Sequence, residues 1–331
     1  MQNSQTISEP TRTSAIRTKT GNPGPVPAPF WNWLAGPAWL LAALLTWKLP
    51  DGDDFPDTDR FALLLLAVGL CLLILTATRR LNGLAPWALA LGLGLGLWEV
   101  VQAKFLLLPR PFFGTPQDLL DVFLTDWKRL GDSLFHSLLL LAIGYASGSV
   151  LGIITGVALG RSHHVRYWVR PLMRLIGPLP PVALLPLTFV IFPSTRLAGE
   201  VLMALAAGFP AAVLTWSGVS AVDPAYYDVA RTMGASNRFL VLRIALPAAT
   251  PQIFVGLFMG LGSSFAMLVV AEMLGVKSGL GFYMQWAQGW AAYPNMYAAL
   301  LVMSVMCTTL MTLLFKLRDH FLKWQKNGLK W

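Results

Sequence analysis

Ionisable side chains are rare inside the apolar stretches of this sequence. The candidates for chemistry there are Glu99, Lys104, His136, Glu200 and Glu272. A membrane-embedded enzyme needs such groups clustered within its spans, whereas these lie near the ends of the apolar runs. The sequence also has no phosphate-binding loop of the type Gly-x-x-x-x-Gly-Lys-Ser/Thr, no His-Glu-x-x-His and no Gly-x-Ser-x-Gly. We therefore predict no catalytic residues and no cofactor bound by this chain.

Metal ligation is not indicated either. Cys71 and Cys307 both lie in apolar runs, so they predict neither a disulfide framework nor a metal cluster. His163 and His164 are adjacent, and adjacent residues do not share a helical face. We predict no metal site.

Glu272, in the stretch VVAEML, is the most informative of the acidic residues. A carboxylate near the end of a span must face protein or water, because exposure to lipid costs several kcal/mol. Two interpretations remain open. The side chain either gates a pathway or pairs with a charged group of an opposite subunit, or it makes a local hydrogen bond at a helix end.

Other polar or polarisable side chains could line a passage together with Glu272: Thr188, Ser263, Ser264, Met267 and Gln285. For the serines the alternative is a hydrogen bond to a backbone carbonyl one turn back, which is common in membrane helices. Gln285 could touch a substrate or a docked protein outside the membrane. The tryptophans around it fit an aromatic belt equally well.

A polar interruption at residues 222–247, VDPAYYDVARTMGASNRFLVLRIALP, separates two long apolar runs. Asp223 is a good N-cap and is followed by a proline that suits the first helical turn. Gly234 can close that helix in a left-handed conformation, and Ser236 can cap the next one. Pro247 then ends the second helix where the next span begins. The pattern predicts a helical hairpin on the face of a membrane domain, where a soluble partner can dock.

Within this interruption, Asp228-Val229-Ala230 is followed by Gly234 at four residues from Ala230 and then by Ile244-Ala245-Leu246-Pro247. The spacing resembles the coupling motif of ABC importer permeases, which runs Glu-Ala-Ala, three residues, Gly, nine residues, Ile-x-Leu-Pro. Asp228 stands for the Glu and Val229 for the first Ala. The resemblance implies that a set of residues contacts an ATPase: Asp223, Tyr227, Asp228, Ala230, Gly234, Ala235, Arg238, Leu246 and Pro247.

The wider sequence from about Leu84 is similar to permeases of the nitrate, sulfonate, taurine and bicarbonate importer group, in stretches such as GPLPPVALLPL, SGVSAVDP, VVAEMLG and SGLGFY. This similarity implies a transport subunit for a small anion with a type I importer core. The implied partners are two separate ATPase subunits that bind ATP and magnesium, a second permease copy forming a homodimer, and a periplasmic or lipid-anchored binding protein. The alternatives are an ATPase-independent transporter, a membrane-embedded enzyme, and a structural membrane protein whose loop recruits a soluble partner.

Composition supports an all-α, polytopic helical bundle surrounded by membrane lipid. Of the 331 residues, 55% are hydrophobic and only 12% are charged. The net charge of +9 could suggest nucleic acid, but the basic residues lie between apolar spans, so the positive-inside rule explains them and we predict no nucleic-acid partner. About eight spans are predicted, near residues 30–49, 61–78, 84–108 and 134–159, around the prolines of 178–186, and near 197–219, 248–274 and 296–315.

Charge sets the predicted orientation. Placing both termini in the cytoplasm puts most of the 25 basic residues inside, together with segment 222–247. We therefore expect a multi-pass protein of the bacterial inner membrane. Residues 1–29 read as a disordered basic tail, 30–83 as an accessory transmembrane hairpin, and 84–331 as the permease domain. A chain starting near Gly83 is expected to insert in the same orientation and still bind its ATPases.

Overall fold

A computed structural model of the protein describes residues 31–78, 83–177 and 179–323. Within these ranges the regular structure is helical throughout, which confirms the predicted all-α class. The predicted tail at 1–29, the residues 79–82 between the second and third spans, Pro178 and the last eight residues lie outside the described ranges.

The helices follow one another along the chain as α1 Trp31–Lys48, α2 Thr58–Ala77, α3 Ala85–Trp98, α4 Pro116–Thr125, α5 Trp127–Arg161, α6 His163–Ile176, α7 Leu185–Ile191, α8 Thr195–Ser220, α9 Pro224–Thr232, α10 Asn237–Phe239, α11 Leu246–Leu274, α12 Leu280–Gly289 and α13 Tyr293–Phe321. Two π-helical segments, Glu99–Lys104 and Leu240–Ala245, continue α3 and join α10 to α11. A 3₁₀ turn, Pro181–Leu184, precedes α7.

Five helical stretches of the described chain are long and apolar enough to cross a membrane: Thr58–Ala77, Trp127–Arg161, Thr195–Ser220, Asn237–Leu274 and Tyr293–Phe321. Three further predicted spans correspond to α1, to α3 with its π-helical extension, and to the broken segment that ends in α7. The total of about eight spans stays a prediction.

One compact unit comprises the described residues of 31–48 and 62–97. Its helices approach closely because glycine and alanine residues of one helix pack against large side chains of another. The indole N–H of Trp39 donates to the carbonyl of Ala88 at 2.7 Å. Gly92 lies against the same indole, where a Cβ would come within 2.5 Å of Trp39 Cδ1. Ala35 and Ala85 are fully buried in this unit.

The second unit comprises residues 49–61 and the described chain from Trp98 onward. It includes the acidic turn after α1. The ammonium of Lys104 lies 2.5 Å from Asp51 Oδ1, 3.0 Å from the carbonyl of Leu49 and 3.6 Å from Glu99 Oε1. Lys104 is nearly inaccessible, with 3% of its side chain exposed. A buried ion pair therefore ties this turn to the segment after α3.

Helices α5 and α8 form a close interface in the second unit. α5 carries glycines at every fourth position, namely Gly144, Gly148, Gly152, Gly156 and Gly160, and a Cβ added to any of them would collide with α8. At Gly148 that Cβ would overlap the backbone of Ala204. The spacing of the glycines predicts this groove, and the structure confirms that a neighbouring helix fills it.

Two local features of this unit follow from residue type at short spacing. Thr115 and Asp118 form a reciprocal capping box at the start of α4. The proline-rich stretch is broken, because the 3₁₀ turn that starts at Pro181 gives way to the short α7.

The predicted end of the second hairpin helix at Pro247 is wrong. The helix that begins at Asn237 runs without interruption to Leu274. The π-helical segment explains this, because Leu246 N–H donates to the carbonyl of Val241, five residues back. The wider turn accommodates a proline, which lacks an N–H and would clash with the carbonyl four residues earlier in a regular α-helix.

Candidate functional site

The interruption at residues 222–247, here called the coupling segment, folds as its caps predict. The Asp223 carboxylate accepts a hydrogen bond from Ala225 N–H at 2.9 Å, and α9 begins at Pro224. Gly234 ends the turn after α9 with φ +81°. Ser236 Oγ then accepts from Phe239 N–H at 3.3 Å and starts the following helix.

The inner side of the coupling segment is packed onto the bundle. Tyr227 and Leu240 are buried in a small apolar cluster, which also contains Ala245 and Ala249 from the long helix and Val219 from α8. Partly buried residues of α5 complete the cluster. α9 is thus held against three spans.

A cation stacks on the same inner side. The guanidinium of Arg161, at the end of α5, lies 4.7 Å from the centroid of the Tyr227 ring. Such a contact contributes about 0.5–2 kcal/mol, depending on how far it is desolvated. It fixes α9 to the end of α5.

The outer side of α9 is apolar and uncovered. Tyr226, Val229 and Met233 recur at i, i+3 and i+7, and they are 67%, 61% and 82% exposed. We call these three residues the docking strip. A helix that shows an apolar strip on a polar segment has the geometry used for helix-in-groove recognition.

Charged side chains surround the docking strip without strong internal partners. The Asp228 side chain is 71% exposed and lies 3.8 Å from Arg231, a separation at which a surface ion pair contributes little. Arg238 is exposed on the other side of the Gly234 turn. These charges are available to a second protein.

The residues predicted to contact an ATPase fall into two groups. Exposed ones are Asp223, Asp228, Gly234 and Arg238, whereas those buried or partly buried against the bundle are Tyr227, Ala230, Ala235, Leu246 and Pro247. Sequence reasoning missed the docking strip, although its i, i+3, i+7 spacing was readable. The motif consists largely of positions that pack the coupling segment onto the bundle, and it does not include the outward-facing strip.

Glu272 lies at the other end of the long helix and is 1% exposed. Its Oε1 accepts from Ser137 Oγ at 2.7 Å and its Oε2 from Gly281 N–H at 2.7 Å. Ser137 Oγ in turn accepts from Leu280 N–H at 2.8 Å. Gly279 adopts φ +101°, and a Cβ there would overlap the Glu272 carboxylate.

We call these five residues, Ser137, Glu272, Gly279, Leu280 and Gly281, the Glu272 anchor. The carboxylate accepts the Gly281 N–H and Ser137 Oγ accepts the Leu280 N–H, so together they satisfy the first free N–H groups of α12 and fasten that helix to α5 and α11. Of the two interpretations of Glu272, the geometry favours the hydrogen bond at a helix end.

The remaining predicted pathway residues are not brought together. Ser264 donates to the carbonyl of Met203 on α8 at 2.9 Å, and Thr188 donates to Leu185 within its own helix at 2.9 Å. Met267 is buried three residues after Ser264. Ser263 and Gln285 are exposed in the single chain. Their role in a pathway stays a prediction.

A cavity of about 350 Å³ opens where α5, the loop after α11 and α12 meet. Its lining includes Arg129, His136 and Lys277, and sequence reasoning did not single out this cluster as a site. Asp126 lies 3.6 Å from Arg129, and Asp132 lies 3.7 Å from His136. Asp132 and Lys277 also line the cavity, and Lys277 has no ion-pair partner within the described ranges.

Comparisons with known proteins agree on one family. Residues 148–327 match the family described as "Binding-protein-dependent transport system inner membrane component". A probable ABC transporter permease protein of Brucella abortus is 30% identical over 75% of this chain and 99% of its own length.

Two relatives carry more specific names. The taurine transport system permease protein TauC of Escherichia coli is 31% identical over 70% of this chain and 86% of its own length. The nitrate import permease protein NrtB of Synechocystis is 29% identical over 68% of this chain and 76% of its own length.

Proposed function

This chain belongs to the family of binding-protein-dependent transport system inner membrane components, and we propose from that premise that it carries a small anion of the nitrate, sulfonate or bicarbonate type into the cell. As an ABC importer permease it is a transport subunit that spans the membrane several times. ATP and magnesium are bound and ATP is hydrolysed in separate partner chains, with two ATPase subunits on two copies of this permease. A periplasmic or lipid-anchored binding protein delivers the anion from outside.

The docking strip carries the proposal. It is an exposed apolar row on a short helix that is itself packed on three spans, so it can be gripped by a partner and still move the bundle. Asp228 and Arg238 add charges that fix the register of the partner. In this proposal the cytoplasmic ATPases hold this strip, with both termini on the same side.

Energy transfer follows from the continuity of the long helix. α9 is joined through the Gly234 turn to a helical run from Asn237 to Leu274, which reaches the Glu272 anchor at its far end. When the ATPases close on ATP, the coupling segment is displaced as a rigid body and the long helix tilts with it. Alternating access then arises from movement of the packed spans around a central pathway.

The anionic substrate class is supported by two observations. The named relatives that this chain resembles include taurine and nitrate permeases. The cavity lined by Arg129, Asp132, His136 and Lys277 presents the ammonium of Lys277, which has no ion-pair partner among the described residues and can attract a small anion. On the predicted topology this cavity opens to the outside, where the anion arrives.

A charge placed in the docking strip tests the function. Met233→Asp puts a carboxylate at the most exposed position of the docking strip, and we expect loss of the co-purifying ATPase and of anion uptake. Stability should change by less than about 0.5 kcal/mol, because the Met233 side chain is 82% exposed. Met233→Leu retains an apolar surface and should keep both activities.

Asn237→Asp serves as the matched control, since it adds the same charge at an exposed position outside the strip. It should leave ATPase binding near the wild-type level. Full uptake by Met233→Asp, with the ATPase still bound, would mean that α9 does not dock the partner.

A further inference from the structure

Helix α6 is strongly two-sided. Arg166, Arg170 and Arg174 recur at i, i+4 and i+8 on one face, and Trp168, Leu172 and Leu175 lie on the opposite face. A basic amphipathic helix with tryptophan and leucine on its apolar face is typical of a helix that lies in the plane of a membrane surface.

The apolar face of α6 is largely uncovered by the described chain. Trp168, Leu172 and Leu175 are 73%, 55% and 71% exposed. In a protein that spans the membrane, side chains of this kind next to the ends of α5 and α8 are covered by lipid. This places α6 at the level of the lipid headgroups.

The three arginines of α6 differ in their contacts. Arg166 donates to the carbonyls of Leu159 and Gly160 at 3.0 Å and 3.1 Å, which satisfies the end of α5. Arg170 lies 5.8 Å from the Trp216 ring centroid. Across the ranges that the structure covers, neither Arg170 nor Arg174 has a carboxylate within ion-pair distance.

An open groove of about 420 Å³ runs between α6 and α8 beside these two arginines. Its lining joins Arg170 and Arg174 to an apolar trough made by Met173, Phe209 and Val213. Two cations at one end of an apolar trough match a ligand that is itself anionic at one end and hydrocarbon at the other.

We propose that this groove binds an anionic phospholipid. The phosphodiester lies between the guanidinium groups of Arg170 and Arg174, and an acyl chain follows Met173, Phe209 and Val213. Paired guanidinium groups bind phosphate oxygens well, and basic pockets between helices near a membrane surface are suited to acidic headgroups. On the predicted topology the lipid comes from the cytoplasmic leaflet.

A second copy of the chain is the rival occupant. Its acidic side chains would have to reach the two arginines at the level of the lipid headgroups. Near this end of the bundle, the acidic residues of the described chain are confined to the coupling segment and Asp319. Lipid supplies both the negative charge and the hydrocarbon without that requirement. The charge pattern therefore favours lipid.

The test is native mass spectrometry of the full-length protein, purified in detergent and exchanged with equal amounts of phosphatidylglycerol and phosphatidylcholine. We expect selective retention of phosphatidylglycerol. An arginine near an anionic surface contributes about fivefold in affinity, so Arg170→Gln with Arg174→Gln should reduce that selectivity by about 25-fold. Replacing both by lysine should keep most of it.

Two further variants complete the design. Lys316→Gln with Lys323→Gln removes two exposed charges from the end of α13 and should leave the selectivity unchanged. If the double arginine variant does not fold, Arg174→Gln alone should lower the selectivity about fivefold.

Equal retention of the two lipids by the wild-type protein would overturn the proposal. So would disulfide crosslinking between two copies through Val213→Cys in a chain lacking Cys71 and Cys307, because the groove would then be an interface between copies.

Discussion

The helical run from Asn237 to Leu274 has polar groups near both of its ends, and the two ends use them in opposite ways. Beside the first end, Asp228 is exposed and has only a distant partner in Arg231. At the second end, Glu272 is buried and accepts hydrogen bonds from Ser137 and Gly281. Both carboxylates belong to stretches that resemble the same permease family.

The coupling segment is therefore an exposed surface, whereas the Glu272 anchor is an internal structural contact. The coupling segment keeps its apolar strip and its charges uncovered, so its interactions are left for another protein. The Glu272 anchor satisfies its polar groups internally, so it holds the far end of the same helix in place. In the proposed mechanism the anchored far end is the pivot about which a displaced coupling segment tilts the long helix.

The largest effect is expected from a substitution that disrupts the Glu272 anchor. Glu272→Ala leaves the Ser137 hydroxyl and the Gly281 N–H without their buried acceptor, at about 2 kcal/mol each. We expect a loss of about 4 kcal/mol in the free energy of unfolding, measured as a lower thermal midpoint in detergent. Glu272→Gln keeps one acceptor and the size of the side chain, so it should lose less.

A different outcome would revive the interpretation of Glu272 as a gate. If Glu272→Ala unfolds at the wild-type temperature but transports the anion with altered kinetics, the carboxylate acts in the pathway and the anchor assignment is wrong.

A matched pair of glycine substitutions gives the next effect. Gly279 and Gly234 both have positive φ, +101° and +81°. A Cβ at Gly279 would overlap the Glu272 carboxylate, whereas a Cβ at Gly234 meets nothing within 4 Å. Gly279→Ala should therefore cost about 3 kcal/mol and Gly234→Ala about 1 kcal/mol, the cost of the backbone conformation alone.

For transport activity, in contrast to stability, the larger effect is expected at Gly234. Gly234→Leu should fold and reach the membrane in near-normal amounts but lose substrate-stimulated ATP hydrolysis, because a distorted turn misplaces the docking strip. Equal destabilisation by the two alanine variants would show that the two ends are supported alike.

The smallest effects come from one substitution made at two carboxylates. Asp51→Asn removes the charge that meets the buried Lys104, and we expect a loss of about 2 kcal/mol. Asp228→Asn changes an exposed side chain and should alter stability by less than about 0.5 kcal/mol while weakening ATPase binding. Thermal midpoints and the amount of co-purified ATPase separate the two.

Asp51 also bears on the predicted accessory role of the first two spans. A chain starting near Gly83 would lack both Asp51 and the Leu49 carbonyl that contact Lys104. The expectation that such a chain still inserts and binds its ATPases stays a prediction, but its yield should fall by at least as much as that of Asp51→Asn.

Local features of the fold could be predicted from the sequence because their causes lie within a few residues. The caps at Asp223 and Ser236, the left-handed Gly234 and the glycine groove of α5 all depend on residue type at short spacing. The continuation of the helix through Pro247 could not be predicted, since it depends on a π-helical turn that no single residue specifies.

Contacts between distant residues were beyond sequence reasoning for a different reason. Ser137 and Glu272 are 135 residues apart, and Lys104 and Asp51 are 53 apart. A single sequence shows that such polar residues lie near span ends, but it does not show which of them meet. The spacing of the docking strip is visible in the sequence, but the coupling motif specifies other positions of the same segment, so the strip was not predicted.

Thiol labelling of the docking strip tests the central claim most directly. Met233→Cys, in a chain whose Cys71 and Cys307 are replaced by serine, is treated with a membrane-impermeant maleimide in inside-out and right-side-out vesicles, with and without the ATPase. We predict labelling only from the cytoplasmic side and protection when the ATPase is bound, whereas Lys323→Cys should be labelled from that side in both cases. Labelling of Met233→Cys from the outside, or equal labelling with and without bound ATPase, would contradict the account.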